Sequence, residues 1–198
     1  MRGLAFLIAL AVLASACGST AAAPSASPTR LATAVVARTA APTPAPPCVV
    51  KPVTFVKAPS KATITLQKGG TITIALRPDK APKTVTNFAN VALSGCYDGL
   101  TFHRVVANFV AQGGDPLGTG TGGGDQPTEL SDLPFIKGAL GVARGGDIKI
   151  SNDRQFYICT GECRHLDNQY TNFGQVISGQ DIADKIVMGD KIKTITVE

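Results

Sequence analysis

Residues 102–115 read FHRVVANFVAQGGD, and they place an arginine and a glutamine inside an otherwise apolar, strand-forming stretch. In a strand, residues i, i+2 and i+4 share a face while their neighbours point the other way. Arg104 and Gln112 are therefore more than scattered surface polarity. Set among Phe102, Val106, Phe109 and Val110, they describe a mostly apolar groove with a few fixed polar groups. Small-ligand and peptide sites are commonly built that way.

Outward from this stretch the chain is rich in short strands. Residues 62–66 and 71–76 alternate apolar and polar side chains around Gln67-Lys68-Gly69-Gly70, a hairpin pattern. Asp79-Lys80-Ala81-Pro82 supplies a helix cap and an early proline. Val85, Phe88, Ala89, Ala92 and Leu93 follow at helical spacing, with Gly95 as the stop. Residues 102–112 give two strands, and 117–132 form a Gly- and Thr-rich loop, with 118–124 read as flexible. Residues 136–143, 155–160, 173–177 and 193–197 read as further strands, and 182–187 as a second helix before Gly189. Many short strands, two helices far apart in sequence and long irregular connections describe a mainly β barrel with helical plugs.

Seven segments then occur in one order: APKTVTNF, GCYDGLTFHRVV, NFVAQGGD, the Gly-rich loop, GALGVAR, QFYICT and HLDNQYTNFG. Together they resemble the cyclophilin-type peptidyl-prolyl cis-trans isomerases over about residues 62–198. The resemblance implies an eight-stranded antiparallel β-barrel capped by two α-helices, and an enzyme that accelerates rotation about X-Pro bonds. That rotation faces a barrier of roughly 18–20 kcal/mol because amide resonance is broken halfway. No covalent step and no cofactor are required; a catalyst has only to bind the twisted amide better than either planar isomer. The twisted amide has a more basic nitrogen, which a hydrogen-bond donor stabilises selectively.

By resemblance, Arg104 is that donor, and Gln112 positions it and the substrate carbonyl. Phe109, Val110, Tyr157 and Leu166 fall where the proline pocket is lined, with Tyr170 and His165 at its rim. Ala143, Arg144 and Gly145 match an edge-strand segment whose backbone holds the residue before proline, and Gln155 borders the neighbouring subsite. Three substitutions depart from the family's commoner residues: His165 for Trp, Tyr157 for Phe and Val110 for Met or Leu. Loss of the tryptophan shelf is expected to weaken cyclosporin-like ligands more than turnover of short peptides. The segment 146–154 is slightly longer than the commonest version. A buried Tyr157 hydroxyl needs a partner. The rival class is a binding module that holds a proline-containing segment with little or no turnover; retention of both Arg104 and Gln112 favours the enzyme.

Residues 1–16 carry one charge, Arg2, then an apolar run from Leu4 to Leu13 and the small residues Ala14-Ser15-Ala16. That is an export signal, too short to span a bilayer permanently. Ala-Ser-Ala-Cys resembles a lipoprotein processing site, which makes Cys17 the expected lipidated residue and anchors the chain to the outer face of the membrane. Plain cleavage and secretion is the alternative. Residues 17–47 are mostly Ala, Pro, Ser and Thr with two charges, Arg30 and Arg38, and read as a disordered tether to a domain spanning 48–198.

The net charge of +5 shrinks once it is located. Three of the 19 basic residues precede position 48 and no acidic residue does, which leaves 16 basic against 14 acidic residues in the domain. With no basic run, nucleic acid is not an expected partner; unfolded or flexible proline-containing polypeptides are, and the domain is expected to act as a monomer. Beyond Cys17, the four cysteines Cys48, Cys96, Cys159 and Cys163 are compatible with two disulfides, whose pairing stays open, although the C-x3-C spacing permits a local bridge. No second Cys or His pair sits at ligand spacing, so no metal is expected. His103, on the opposite face from Arg104, reads as a satisfied structural histidine.

Overall fold

The computed structural model describes residues 48–198. The expected signal peptide (1–16), tether (17–47) and lipidation at Cys17 lie outside the described residues. Ten strands, two helices and a 3₁₀ turn follow one another: β1 (Lys61–Leu66), β2 (Thr71–Leu76), α1 (Pro82–Leu93), β3 (Arg104–Val106), β4 (Val110–Gly113), β5 (Asp125–Pro127), β6 (Ala139–Val142), β7 (Ile150–Asn152), β8 (Phe156–Cys159), the 3₁₀ turn Arg164–Leu166, β9 (Asn172–Ser178), α2 (Gln180–Ala183) and β10 (Ile192–Val197).

Eight strands form one antiparallel, curled sheet in the order β10-β1-β2-β9-β6-β8-β4-β3, and β5 pairs with β7 in a separate ribbon. The curl brings the two edges together. Just ahead of β3 and β10, Thr101 bridges Lys191, and Phe102 and Ile192 donate their backbone N–H groups to the carbonyls of Asp190 and Leu100. The expected mainly β architecture with eight strands and two helices is what the chain forms.

Side-chain alternation explains how a small domain supports both a core and a site. In β8, Phe156 and Ile158 point inward while Tyr157 and Cys159 point to a second apolar cluster on the outer face. The same division places Ala111 inside and Val110 outside on β4. The inner core holds Phe88, Tyr97, Phe102, Phe156 and Phe173. Their rings meet mostly edge to face: Phe88 and Tyr97 lie 5.5 and 5.4 Å from Phe156. Such pairs add about 0.5–1.5 kcal/mol each beyond their area burial. Helix α1 turns Val85, Phe88, Ala89 and Ala92 into that core.

Several details differ from the sequence expectations. Asp79 does not cap α1: its carboxylate is taken by Arg77, and Ala81 at the N-cap position offers no side-chain bond. The cap comes from 45 residues away, where Glu129 accepts the N–H groups of Lys83 (3.1 Å) and Thr84 (2.8 Å). The second helix is only Gln180–Ala183, starting at Gly179 in a left-handed conformation (φ 81°). Beyond it, residues 184–187 continue partly in tighter i→i−3 turns rather than as an α-helix. The loop 117–132 contains β5, and β7 appears within 146–154; neither has the alternating apolar pattern that marks a half-buried strand. The cysteines pair as Cys48–Cys96 and Cys159–Cys163.

Candidate active site

The hairpin β3–β4 sets Arg104 directly opposite Gln112, in register and on one face. Its turn is allowed by Asn108, which adopts the left-handed conformation (φ 56°) that asparagine tolerates better than most residues. Arg104 Nη1 donates to Gln112 Oε1 at 3.2 Å, and its guanidinium lies 5.9 Å from the Phe109 ring centre. Gln112 Nε2 in turn donates to Gln155 Oε1 (3.0 Å), and Gln155 Nε2 to the Gly122 carbonyl (2.8 Å). Gln155 is 3% exposed, so this relay is anchored in the protein interior and orients Gln112, which orients Arg104.

Beside the relay opens a cavity of about 240 Å³, lined by Arg104, Phe109, Val110, Gln112, Ala143, Arg144, Tyr157, Leu166 and Tyr170. Every one of these residues is among those expected from sequence. The strand β8 delivers Tyr157, the 3₁₀ turn delivers Leu166, and the segment after β6 delivers Ala143 and Arg144. Ala143 to Gly145 continue beyond β6 rather than forming an edge strand, since β6 lies between β9 and β8. Arg144 is half-buried and lies 4.4 Å from the Tyr170 ring centre, with Nε donating to the Gln169 carbonyl and Nη1 to that of Gly145.

The Tyr157 ring extends over Gly141, where a Cβ would occupy the same space as the ring tip, and stacks at 5.9 Å on Phe135. Its hydroxyl is buried without a hydrogen-bond partner among the described residues, and burial raises its pKa well above the ordinary phenol range. His165 does not line the cavity; it is exposed and packs 5.0 Å from Phe109, the outer wall. Val106 is likewise outside it.

Gly145 and Gln155 belong to an adjoining cavity of about 430 Å³ that shares Gln112, Ala143 and Arg144 with the first. Sequence reasoning missed most of its lining, including Asp125, Asp147, Ile150 and Asn152. These residues sit on the β5–β7 ribbon and the turn before it, where no apolar periodicity points inward. The loop ahead of β5 is tied down rather than free: the buried Asp115 carboxylate accepts the N–H groups of Leu117, Thr119 and Gly120. His103 departs from expectation. Both ring nitrogens are buried without a hydrogen-bond partner among the described residues, and desolvation lowers the pKa of the ring.

A sequence profile described as "Cyclophilin type peptidyl-prolyl cis-trans isomerase/CLD" matches residues 61–197. The chain belongs to the cyclophilin-type peptidyl-prolyl cis-trans isomerases. It is 43% identical over 137 residues to peptidyl-prolyl cis-trans isomerase B of Bacillus subtilis (strain 168), covering 67% of this chain and 94% of that one. Identity to a peptidyl-prolyl cis-trans isomerase of Helicobacter pylori (strain J99) is 41% over 140 residues, 68% of this chain and 85% of that protein. In three dimensions it resembles a Cryptosporidium parvum cyclophilin-type isomerase, crystallised in the presence of the dipeptide Ala-Pro. The TM-score is 0.64 at 26% identity, covering 70% of this chain and 98% of the other. As a cyclophilin the chain is a peptidyl-prolyl cis-trans isomerase, an enzyme acting on a bond whose rearrangement needs no covalent intermediate.

Proposed function

We propose that this cyclophilin holds a substrate proline in the cavity walled by Phe109, Val110, Tyr157, Leu166 and Tyr170 and drives rotation with Arg104. The guanidinium donates to the amide nitrogen as it pyramidalises, an interaction the planar isomers cannot make, so it lowers the barrier instead of merely tightening binding. Gln112 keeps Arg104 aimed and offers its amide to a substrate carbonyl. The backbone from Ala143 to Gly145 holds the residue before proline. The observation that carries this reading is the pairing of Arg104 with a neutral amide, at 3.2 Å, on the wall of a cavity that Phe109, Val110 and Leu166 also line. Among the described residues no carboxylate pairs with Arg104, so its donors are not neutralised by one.

The test is exchange between cis and trans Ala-Pro in a short peptide, followed by NMR with catalytic protein. Arg104→Ala is expected to lower the catalysed exchange roughly 10²- to 10³-fold, the usual loss for a transition-state donor, while leaving peptide affinity within a few-fold. Unchanged exchange in the variant would exclude Arg104 as the donor. Binding without exchange in the unmutated protein would leave a proline-segment binding module.

We further propose that its clients are exported chains folding outside the cytoplasm, for which X-Pro isomerisation is a slow step. The signal-like residues 1–16, the Ala-Ser-Ala-Cys17 pattern and two disulfides fit an oxidising, extracytoplasmic setting, with a monomeric domain held to the outer membrane face by lipid on Cys17. Fatty-acid labelling of the expressed protein, lost in Cys17→Ser, tests the anchor; labelling that survives the substitution rules it out.

A further inference from the structure

The cavity of about 430 Å³ beside the proline groove is lined mainly by polar groups, and two of them are the carboxylates Asp125 and Asp147. Both residues are solvent-exposed, and neither forms an ion pair among the described residues. Among the described residues the Asp147 carboxylate accepts only a neighbouring backbone N–H, that of Lys149 at 2.8 Å. The one cation in the lining, Arg144, is already engaged by the carbonyls of Gln169 and Gly145 and by the face of Tyr170. The neutral polar side chains there already have partners. Gln155 bonds Gln112 and Gly122, Asn152 bonds Gly122, and Ser151 shares a bond with Thr128. The cavity therefore presents two carboxylates with charge to satisfy and few free donors.

Substrate geometry decides which residue reaches it. In an extended peptide, side chains two positions apart point to the same side, roughly 7 Å from one another. With the proline ring in the first cavity, the side chain that faces the second is that of the residue two positions before proline. The two cavities share Gln112, Ala143 and Arg144, so both positions are read across one common wall. Resting on the proline-groove reading above, we propose that Asp125 and Asp147 make this enzyme selective for substrates with Lys or Arg two residues before proline. The long alkyl stem of such a side chain packs along Ile150, and its charged head meets the carboxylates at the rim.

The test compares three peptides, Ala-Xaa-Ala-Pro-Phe-Ala with Xaa as Lys, Gln or Glu, by exchange NMR at low and high salt. At low salt kcat/KM is expected to fall in the order Lys, Gln, Glu. The Lys-to-Glu ratio is expected to be roughly 3- to 10-fold, as for two partly exposed ion pairs, and to reside in KM. It should shrink at high salt, because exposed charges are screened, and fall to within twofold in D125N/D147N. Equal rates for the three peptides, or a lysine preference that survives D125N/D147N, would overturn the selectivity while leaving the isomerase reading intact. Failure to catalyse exchange in any of the three would remove the proline-groove reading and this proposal with it.

Discussion

The remote cap on α1 yields a quantitative prediction. Pro82–Leu93 begins with no side-chain cap of its own and no acidic residue in its first turn, so its N-terminal N–H groups depend on Glu129. Replacing a capping side chain with alanine costs about 0.5–2 kcal/mol. An anion at a helix N-terminus contributes a further ~0.3–1 kcal/mol through the helix dipole. Glu129→Ala removes both, and the expected loss is about 0.8–3 kcal/mol. Glu129→Gln keeps one acceptor oxygen and loses the charge, for an expected loss of about 0.5–1 kcal/mol. The backbone bond from Glu129 N–H to Thr171 Oγ1 is retained in both variants, so the loop is not released. Urea unfolding followed by far-ultraviolet circular dichroism reads the difference, with an unchanged m-value as the check that only stability moved. On heating, Glu129→Ala should melt roughly 3–8 °C lower. A loss under about 0.5 kcal/mol for Glu129→Ala, or equal losses for the two variants, would refute the assignment of the cap.

Two further outcomes follow from other parts of the domain. The half-buried His103 has a pKa lowered chiefly by desolvation of its ring, so below its unfolded value of 6.5 the unfolded chain takes up a proton that the folded protein resists. Stability is thus fully present above pH 6.5 and declines as pH falls towards 5. Asp79 and Asp132, whose pKa values are held below 3.8 by bonds from Arg77 and Lys80, titrate beneath that window. Melting temperatures from pH 7.5 to 5 should fall for the unmutated protein and less for His103→Asn; equal slopes would count against the histidine. The Cys48–Cys96 disulfide closes a loop of 48 residues, for which chain entropy gives about 4 kcal/mol. Cys48→Ser/Cys96→Ser is therefore expected to be markedly less stable to urea, and a loss under about 1 kcal/mol would contradict the entropic account.

Where side chains alternate, the sequence was legible. Period-two patterning marked the strands around Arg104 and Gln112, and the resemblance to the family named in advance the nine residues that line the cavity of about 240 Å³. The adjoining cavity was not legible. Asp125 and Asp147 lie on a short ribbon and a turn where neither apolar rhythm nor turn chemistry marks an inward face, and it is the pairing of β5 with β7 that brings those segments together. The cap misreading has the same origin: Asp79 sits at a plausible distance before Pro82, but Arg77 captures it locally while Glu129 arrives through tertiary folding. His103 was misjudged because a strand-face argument says which way a ring points and nothing about whether a donor awaits it.

The closure of the sheet has a consequence for the order in which the molecule can assemble. β1 is flanked by β2, its immediate neighbour in sequence, and by β10, whose residues are 192–197. The first strand of the sheet therefore keeps a bare edge until residues 192–197 are available to pair with it. The β1–β2 hairpin can form from neighbouring residues at once, but the sheet cannot close until β10 joins it. A strand pairing that joins residues 61–66 to 192–197 thus makes the closing of this sheet a long-range step, with the free edge of β1 as its point of vulnerability on the way.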